Sequence, residues 1–320
     1  MILIVSRTDD DHARAVQAAL AAGAASATIV DLSRFPREMA LSLRYDGSEH
    51  RYSLFVRGEE LPLERYRVVW WRRPQPFVLH AEMAEGRYAG FAYSESAEAF
   101  AGLWQSLDAS WVNHPVREQA ASHKVYQLRV AQVVGLEIPP TLVTNDATEA
   151  RRFVDEHGHE RVAYKAFLPT ANDWRETRVL RRDEVAQLDA VRYAPVIFQE
   201  YVPALLDLRV TVVGEQILAA AIHSSEGSYE ADYRVDLASA PVEPFDLPTE
   251  VDERIRALMS RLGLVYGAID MRLTPDGRFV FFEVNPSGEW LFVEERSGQP
   301  ITETFADLLL ARDRVDAAGA

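Results

Sequence analysis

The run Phe281-Phe282-Glu283-Val284-Asn285-Pro286 sets a carboxylate and a carboxamide two positions apart at the end of an apolar stretch. In a strand, residues i and i+2 share a face, so Glu283 and Asn285 point the same way. The segment 266–286 reads as a hairpin turning at Pro275-Asp276-Gly277. That turn lies near the midpoint between Asp270 and Glu283, and antiparallel pairing brings the two carboxylates opposite each other. Like charges so placed repel unless something compensates them. Two carboxylates and an amide oxygen form a hard oxygen cluster of the kind that suits Mg²⁺, whose remaining positions go to water and phosphate. The same spacing fits a solvated strand face closed by an Asn-Pro turn, and spacing does not choose between the two.

Cationic side chains punctuate the preceding segments. Lys165 stands among apolar neighbours in RVAYKAF (161–167). There it either snorkels and pairs with an acid, or presents its charge to a phosphate. Lys124 follows Pro115 on a helix, where a surface lysine is ordinary. QEYVP (199–203) joins two structural units, and backbone groups of such a link can pair with an adenine edge. Asp207 and Arg209 alternate on one face of the next strand, and Arg234 follows in DYR (232–234). Arginine is suited to bidentate contact with carboxylate or phosphate. His223 and Asp232 are candidate bases, although polar residues at strand ends need no such role. Arg72 and Arg73 either orient a substrate or pack the first unit on the second. Trp70 and Trp71 read as core, and His114 as structural.

Three units supply these positions. The first opens β-α-β, with strands at 2–6 and 28–32 around a helix at 11–23, which points to a parallel α/β unit. A hairpin (41–47 and 52–58), a buried strand (66–71), a long helix (80–107) and the stretch 111–115 complete it. The second has helices at 117–135 and 146–158 and strands at 138–144, 161–167, 176–180 and 196–203; Asp146 is placed to cap the second helix. The third is a hairpin over 207–224 turning at Gly214, a helix at 247–263, the hairpin 266–286 and a last helix beginning ITETFADLLLARD (301–313). The polar stretch 168–176 is the candidate lid over a site.

Composition narrows the class. The 320 residues suffice for two or three packed units, and 48% are hydrophobic. The net charge of −15 argues against a general nucleic-acid binder. No cysteine is present, so thiolate catalysis and cysteine-ligated metals are excluded. No targeting segment is visible and no apolar run reaches membrane-spanning length, so a soluble cytoplasmic protein with no membrane partner is expected.

Taken in order, Lys124, Lys165, the QEYV link, Asp207-Leu208-Arg209, Asp270 and Glu283-Val284-Asn285 resemble the ATP-grasp superfamily of carboxylate–amine ligases over roughly 113–312. No glycine-rich phosphate loop is present, as is usual there. VVWWRRPQPF (68–77), WVNHP (111–115), K-x-x-QL (124–128), GLEIPPTLVTN (135–145) and EVNPSGEW (283–290) are similar to the graspetide synthetases, which form ester or amide links within ribosomal precursor peptides. The resemblance implies an α/β fold: a pre-ATP-grasp domain (1–112), then an ATP-grasp fold whose central (113–199) and C-terminal (200–320) lobes clamp ATP. It implies that Lys124 and Lys165 contact nucleotide phosphates, that Glu200, Tyr201 and Val202 frame the adenine, and that Asp207 reaches the ribose. Asp270, Glu283 and Asn285 would ligate Mg²⁺, with Glu283 bridging two ions. Arg209 and Arg234 would face the reacting phosphoryl or acyl group. The implied partner is a precursor peptide with leader and core, and a homodimer is the family expectation. Two other readings compete: a ligase for a small molecule or amino acid, and a non-catalytic nucleotide-binding module.

Overall fold

The computed structural model describes residues 1–167, 177–223 and 240–318. The chain starts with β1 (Ile2–Val5), buried along its whole length. Asp10 then accepts a hydrogen bond from the Ala13 N–H and starts α1 (Asp11–Ala22), which leads to β2 (Ala27–Val30). A three-stranded antiparallel insertion follows: β3 (Met39–Asp46), β4 (Glu49–Val56) and β5 (Glu59–Pro62). Its first two strands are the expected hairpin and its third was not foreseen. β6 (Val68–Trp71) returns to the first sheet. The helix expected over 80–107 is interrupted between α2 (Ala81–Ala84) and α3 (Ala89–Ser106), where Gly86 lies. β7 (Ser110–Val112) closes a parallel sheet of order β2-β1-β6-β7.

The helix expected over 117–135 is two helices, α4 (Pro115–Ala121) and α5 (Lys124–Val133), broken at Ser122-His123. Both were assigned to the central lobe, yet Ala121, Val130, Ala131 and Leu136 join a core with Leu208, Ile255, Ile269 and Phe281 of the C-terminal lobe. Their apolar face has no counterpart in the small central sheet. That sheet is built by β8 (Thr141–Thr144), β9 (Val162–Lys165), β10 (Arg178–Val179) and β11 (Val196–Glu200), with α6 (Ala147–His157) packed on it.

The C-terminal sheet has the order β14-β13-β12-β15-β16. Its strands are β12 (Leu206–Val213), β13 (Gln216–Ile222), β14 (Val242–Phe245), β15 (Tyr266–Leu273) and β16 (Phe279–Asn285), with α7 (Thr249–Leu262) before β15. α8 (Leu291–Ser297), absent from the sequence reading, and α9 (Ile301–Ala318) follow. One face of this sheet covers the core shared with α5 and α7. Part of the other face packs through Val213, Ala220 and Tyr266 against Ile4, Trp70, Trp290 and Phe305, so the first unit is welded to it. The remainder turns toward β9 and β11 and forms a cleft. No helix of the described residues is long and apolar enough to cross a membrane.

Candidate active site

The cleft lies between the two sheets. Ala163, Lys165 and Gln199 line one wall, Asp207, Asp270, Arg272, Phe282 and Glu283 the other, and Glu200, Tyr201 and Val202 the link at its back. The expected pairing is present: Asp270 lies directly opposite Glu283. The register slips immediately beyond, where Met271 pairs with Phe281, so Phe282 is the extra residue of a bulge. The bulge lets Phe281 and Val284 both enter the core while Phe282 and Glu283 both line the cleft.

Cations answer the repulsion between the acids. Lys124, the first residue of α5, forms an ion pair with Glu283, and Lys165 Nζ approaches the same Glu283 Oε2 at 4.0 Å. Arg209, paired across the sheet with Asp270, donates to its Oδ1 at 2.6 Å and to the Glu289 carbonyl at 3.0 Å. Asn285 Oδ1 accepts the Ser287 N–H at 3.0 Å and keeps a second lone pair. Among the described residues no cluster holds three or more acidic, histidine or cysteine ligands. Two carboxylates and an amide already neutralised by lysine and arginine match a Mg²⁺ that takes few protein oxygens and shares its shell with phosphate. The residues therefore fit the ion.

The link is braced by Arg272, which the sequence reading did not place. Asp207 accepts from Arg272 Nε at 2.8 Å, and Arg272 Nη1 donates to the Val202 carbonyl at 2.6 Å. Arg272 also lies over Phe282, 5.5 Å from the ring centre. Its position two residues after Asp270 on the same strand face was the available signal. Glu200 turns its carboxylate toward Arg161, at 3.5 Å. The Val202 N–H makes no hydrogen bond among the described residues, which suits an adenine edge.

The loop after β16 is held from the first unit. Arg72 Nη1 donates to the carbonyls of Ser287 and Gly288 at 2.6 and 2.9 Å, and Arg73 Nε donates to Ser287 at 2.7 Å. These arginines thus pack the first unit on the C-terminal lobe, not on the central one. Asn113 Nδ2 donates to Pro286 and Tyr266 carbonyls, both at 2.9 Å. Gln127 caps the edge strand by bonding both backbone groups of Val284, at 2.8 and 3.0 Å. Glu118 accepts from Ser287 Oγ at 2.6 Å, and burial pushes its carboxyl up to about 7. His12 Nε2 accepts the Trp290 N–H at 3.0 Å, and burial lowers its imidazole to about 4. His114 caps α4 through the Val116 N–H, as a structural residue should. His223 is an exposed partner of Glu243 at 2.8 Å. Arg234, Asp232 and the lid segment 168–176 lie outside the described residues.

A pre-ATP-grasp domain and a two-lobed clamp with acids and lysines in its cleft define an ATP-grasp ligase. Residues 1–119 match the family described as the MvdD pre-ATP grasp domain. No curated protein sequence matches the chain significantly. Among solved structures, the chain resembles macrocyclase MdnC of Microcystis aeruginosa MRC, bound with its precursor peptide MdnA. Identity is 30%, coverage 97% of this chain and 99% of that one, and the TM-score 0.87. A Chryseobacterium gregarium RiPP-associated ATP-grasp ligase, in complex with ADP and a leader and core peptide, is 27% identical over 97% and 96% of the chains, with a TM-score of 0.87. The ATP-grasp ligase PsnB, complexed with a precursor variant, Mg and ADP, is 26% identical over 98% of both chains, with a TM-score of 0.78. The chain belongs to this family of ATP-grasp peptide macrocyclases, the graspetide synthetases.

Proposed function

We propose that this chain uses ATP and Mg²⁺ to activate Asp or Glu side chains of a ribosomal precursor peptide and joins them to Thr, Ser or Lys side chains of the same peptide as esters or amides. The observation that carries this reading is the Asp270–Glu283 pair, set face to face by the β15–β16 register and ion-paired with Lys124, Lys165 and Arg209. Lys124 and Lys165 are the cations for the nucleotide phosphates. Glu200, Tyr201 and Val202 frame the adenine, and Asp207 serves the ribose side while holding Arg272 against the link. Asp270, Glu283 and Asn285 would hold the Mg²⁺, as two ions.

When bound, ATP would give its γ-phosphoryl group to the substrate carboxylate, forming an acyl phosphate and releasing ADP, and Mg²⁺ would offset the charge on the transferring oxygens; attack by the hydroxyl or amine then expels inorganic phosphate. The protein's part is orientation and exclusion of water. Lys165 and Arg209 fix charge on either side of the acids, and Arg209 is the donor for the oxyanion that forms when the hydroxyl or amine attacks. Arg234 is assigned to the same region. Both reacting groups belong to one peptide, so correct placement replaces a bimolecular encounter. The first unit contributes by clamping the loop after Asn285. Residues 1–112, 113–199 and 200–320 act as pre-ATP-grasp domain, central lobe and C-terminal lobe, with α4 and α5 riding on the last.

Co-expression with a short Thr/Glu- or Lys/Asp-rich peptide encoded beside the gene tests the reading by mass spectrometry. One water is lost per link, and Glu283→Gln abolishes the loss. An unchanged peptide mass with wild-type protein overturns it in favour of a small-molecule ligase.

A further inference from the structure

A second cavity, of about 590 Å³, lies on the other side of the Asn285–Ser287 loop. One wall is the carboxyl end of the parallel sheet: Trp71 ends β6 and Pro74 follows it, and His114 and Pro115 follow β7. Open α/β sheets bind ligands at that end of their strands. The facing wall is Asn285, Pro286 and Ser287, the end of the strand that carries the acids. The cavity thus begins where the cleft stops. Its inner surface is a run of touching rings: Trp71 on Trp104 with centres 5.6 Å apart, Trp104 on Phe100 at 5.5 Å, and Phe100 on Phe77 at 5.2 Å. Tyr93 and Val116 stand exposed at the opening.

The lining also says what the occupant is not. Among the described residues no lysine or arginine lines the cavity, so they offer no cation to a phosphate. The lining carboxylate of Glu118 is turned to Ser287, and burial lowers the pKa of the lining His114. The rim instead carries exposed amides, Gln75, Gln105 and Gln119. An amide side chain both donates and accepts, as a peptide backbone requires. Aromatic walls with an amide rim match an apolar side chain carried on a peptide.

We propose that this cavity is a specificity subsite that takes an aromatic side chain of the substrate peptide, seating it beside the Asn285 end of β16 and so selecting which neighbouring carboxylate enters the cleft. The proposal rests on the peptide-ligase reading above, because that reading supplies the peptide. It adds the residue type recognised and the wall that recognises it.

Ala97 and Ala101, on α3, line the cavity, and Ala101 is exposed, so a larger side chain there fills the cavity without disturbing a core. The probes are N-acetyl-L-phenylalaninamide and N-acetyl-L-alaninamide, followed by ligand-observed NMR on the full chain. The phenylalanine probe is expected to bind at least tenfold more tightly than the alanine probe. Ala101→Trp is expected to weaken it at least tenfold while leaving the melting temperature in place, and Glu283→Gln to leave its binding unchanged. Ala97→Phe repeats the test should Ala101→Trp fold poorly. Equal binding of the two probes, or equal binding to wild type and both filled variants, overturns the proposal. So does a wild-type dimer that Ala101→Trp dissociates with the probe affinity unaltered, which makes the cavity an interface between copies. Wild-type protein that binds the probe as expected but forms no rings keeps the subsite and removes the peptide-ligase reading.

Discussion

Glu283 is contested by its neighbours, and the contest has measurable consequences. Lys124 and Lys165 both address Glu283 Oε2, so a cation that ligates this carboxylate competes with Lys124. Removing Lys124 has opposite effects on the two ligands. In Lys124→Ala, Mg²⁺ alone should bind several-fold more tightly, because a competitor is gone. ATP should bind roughly ten- to a hundredfold more weakly, because a charge-assisted contact worth about 1.5–3 kcal/mol is lost. Calorimetry with each ligand separately reads both signs, and a parallel loss of both affinities would mean that Lys124 only holds the fold. Asp270→Asn should leave ATP binding within a few-fold and lower ADP formation by at least 10²-fold, since the acid offsets charge during transfer. Coupled assay of ADP release checks this.

At the scale of elements, the loop after β16 leaves no room for a side chain at Gly288. A Cβ on Gly288 would lie 2.3 Å from Ala268 Cβ and 3.1 Å from Arg209 Nη2. Gly288→Ala must therefore shift β15 or push Arg209 off Asp270. Overpacking of this kind costs about 1–3 kcal/mol, and ring formation should fall more than tenfold. Ala268→Gly, which removes the facing carbon, should restore much of both in the double variant; no recovery of melting temperature would show that Arg209 is the obstacle. The hairpin 266–286 and the facing acids were legible because a two-residue period and the Pro-Asp-Gly turn fix register locally. The bulge at Phe282 was not: nothing in the spacing of Phe281 and Val284 distinguishes a bulge from two faces of a regular strand. The break at Ser122-His123, which makes Lys124 the first residue of a helix, carries no Gly or Pro to announce it. The cavity behind Asn285 depends on residues 71–77, 93–105 and 114–122 converging, and that is a property of tertiary packing.

For the whole molecule, the join between the first unit and the C-terminal lobe contains two buried titratable groups whose effects oppose each other. His12 accepts the Trp290 N–H and is held down to about 4 from 6.5 by burial. Its contribution is complete above pH 6.5 and is lost as pH falls toward 4, because the unfolded chain takes up a proton that the folded one refuses. Glu118, bonded to Ser287 on the same loop, is raised from 4.5 to about 7. Its folded form favours the protonated acid, so its contribution is complete below pH 4.5 and is lost as pH rises through 7. Between pH 4.5 and 6.5 the two slopes have opposite sign, and the wild-type protein should show a nearly level stability there. Each single variant exposes the other slope. His12→Gln, which retains an acceptor for the Trp290 N–H, should lose stability as pH rises from 4.5 to 7. Glu118→Gln should lose it as pH falls from 6.5 to 4. Each change is bounded at about 3–4 kcal/mol, from roughly 1.4 kcal/mol per pH unit. Urea midpoints at half-unit pH steps measure all three curves, and slopes of the same sign in the two variants would show that these groups do not govern the join.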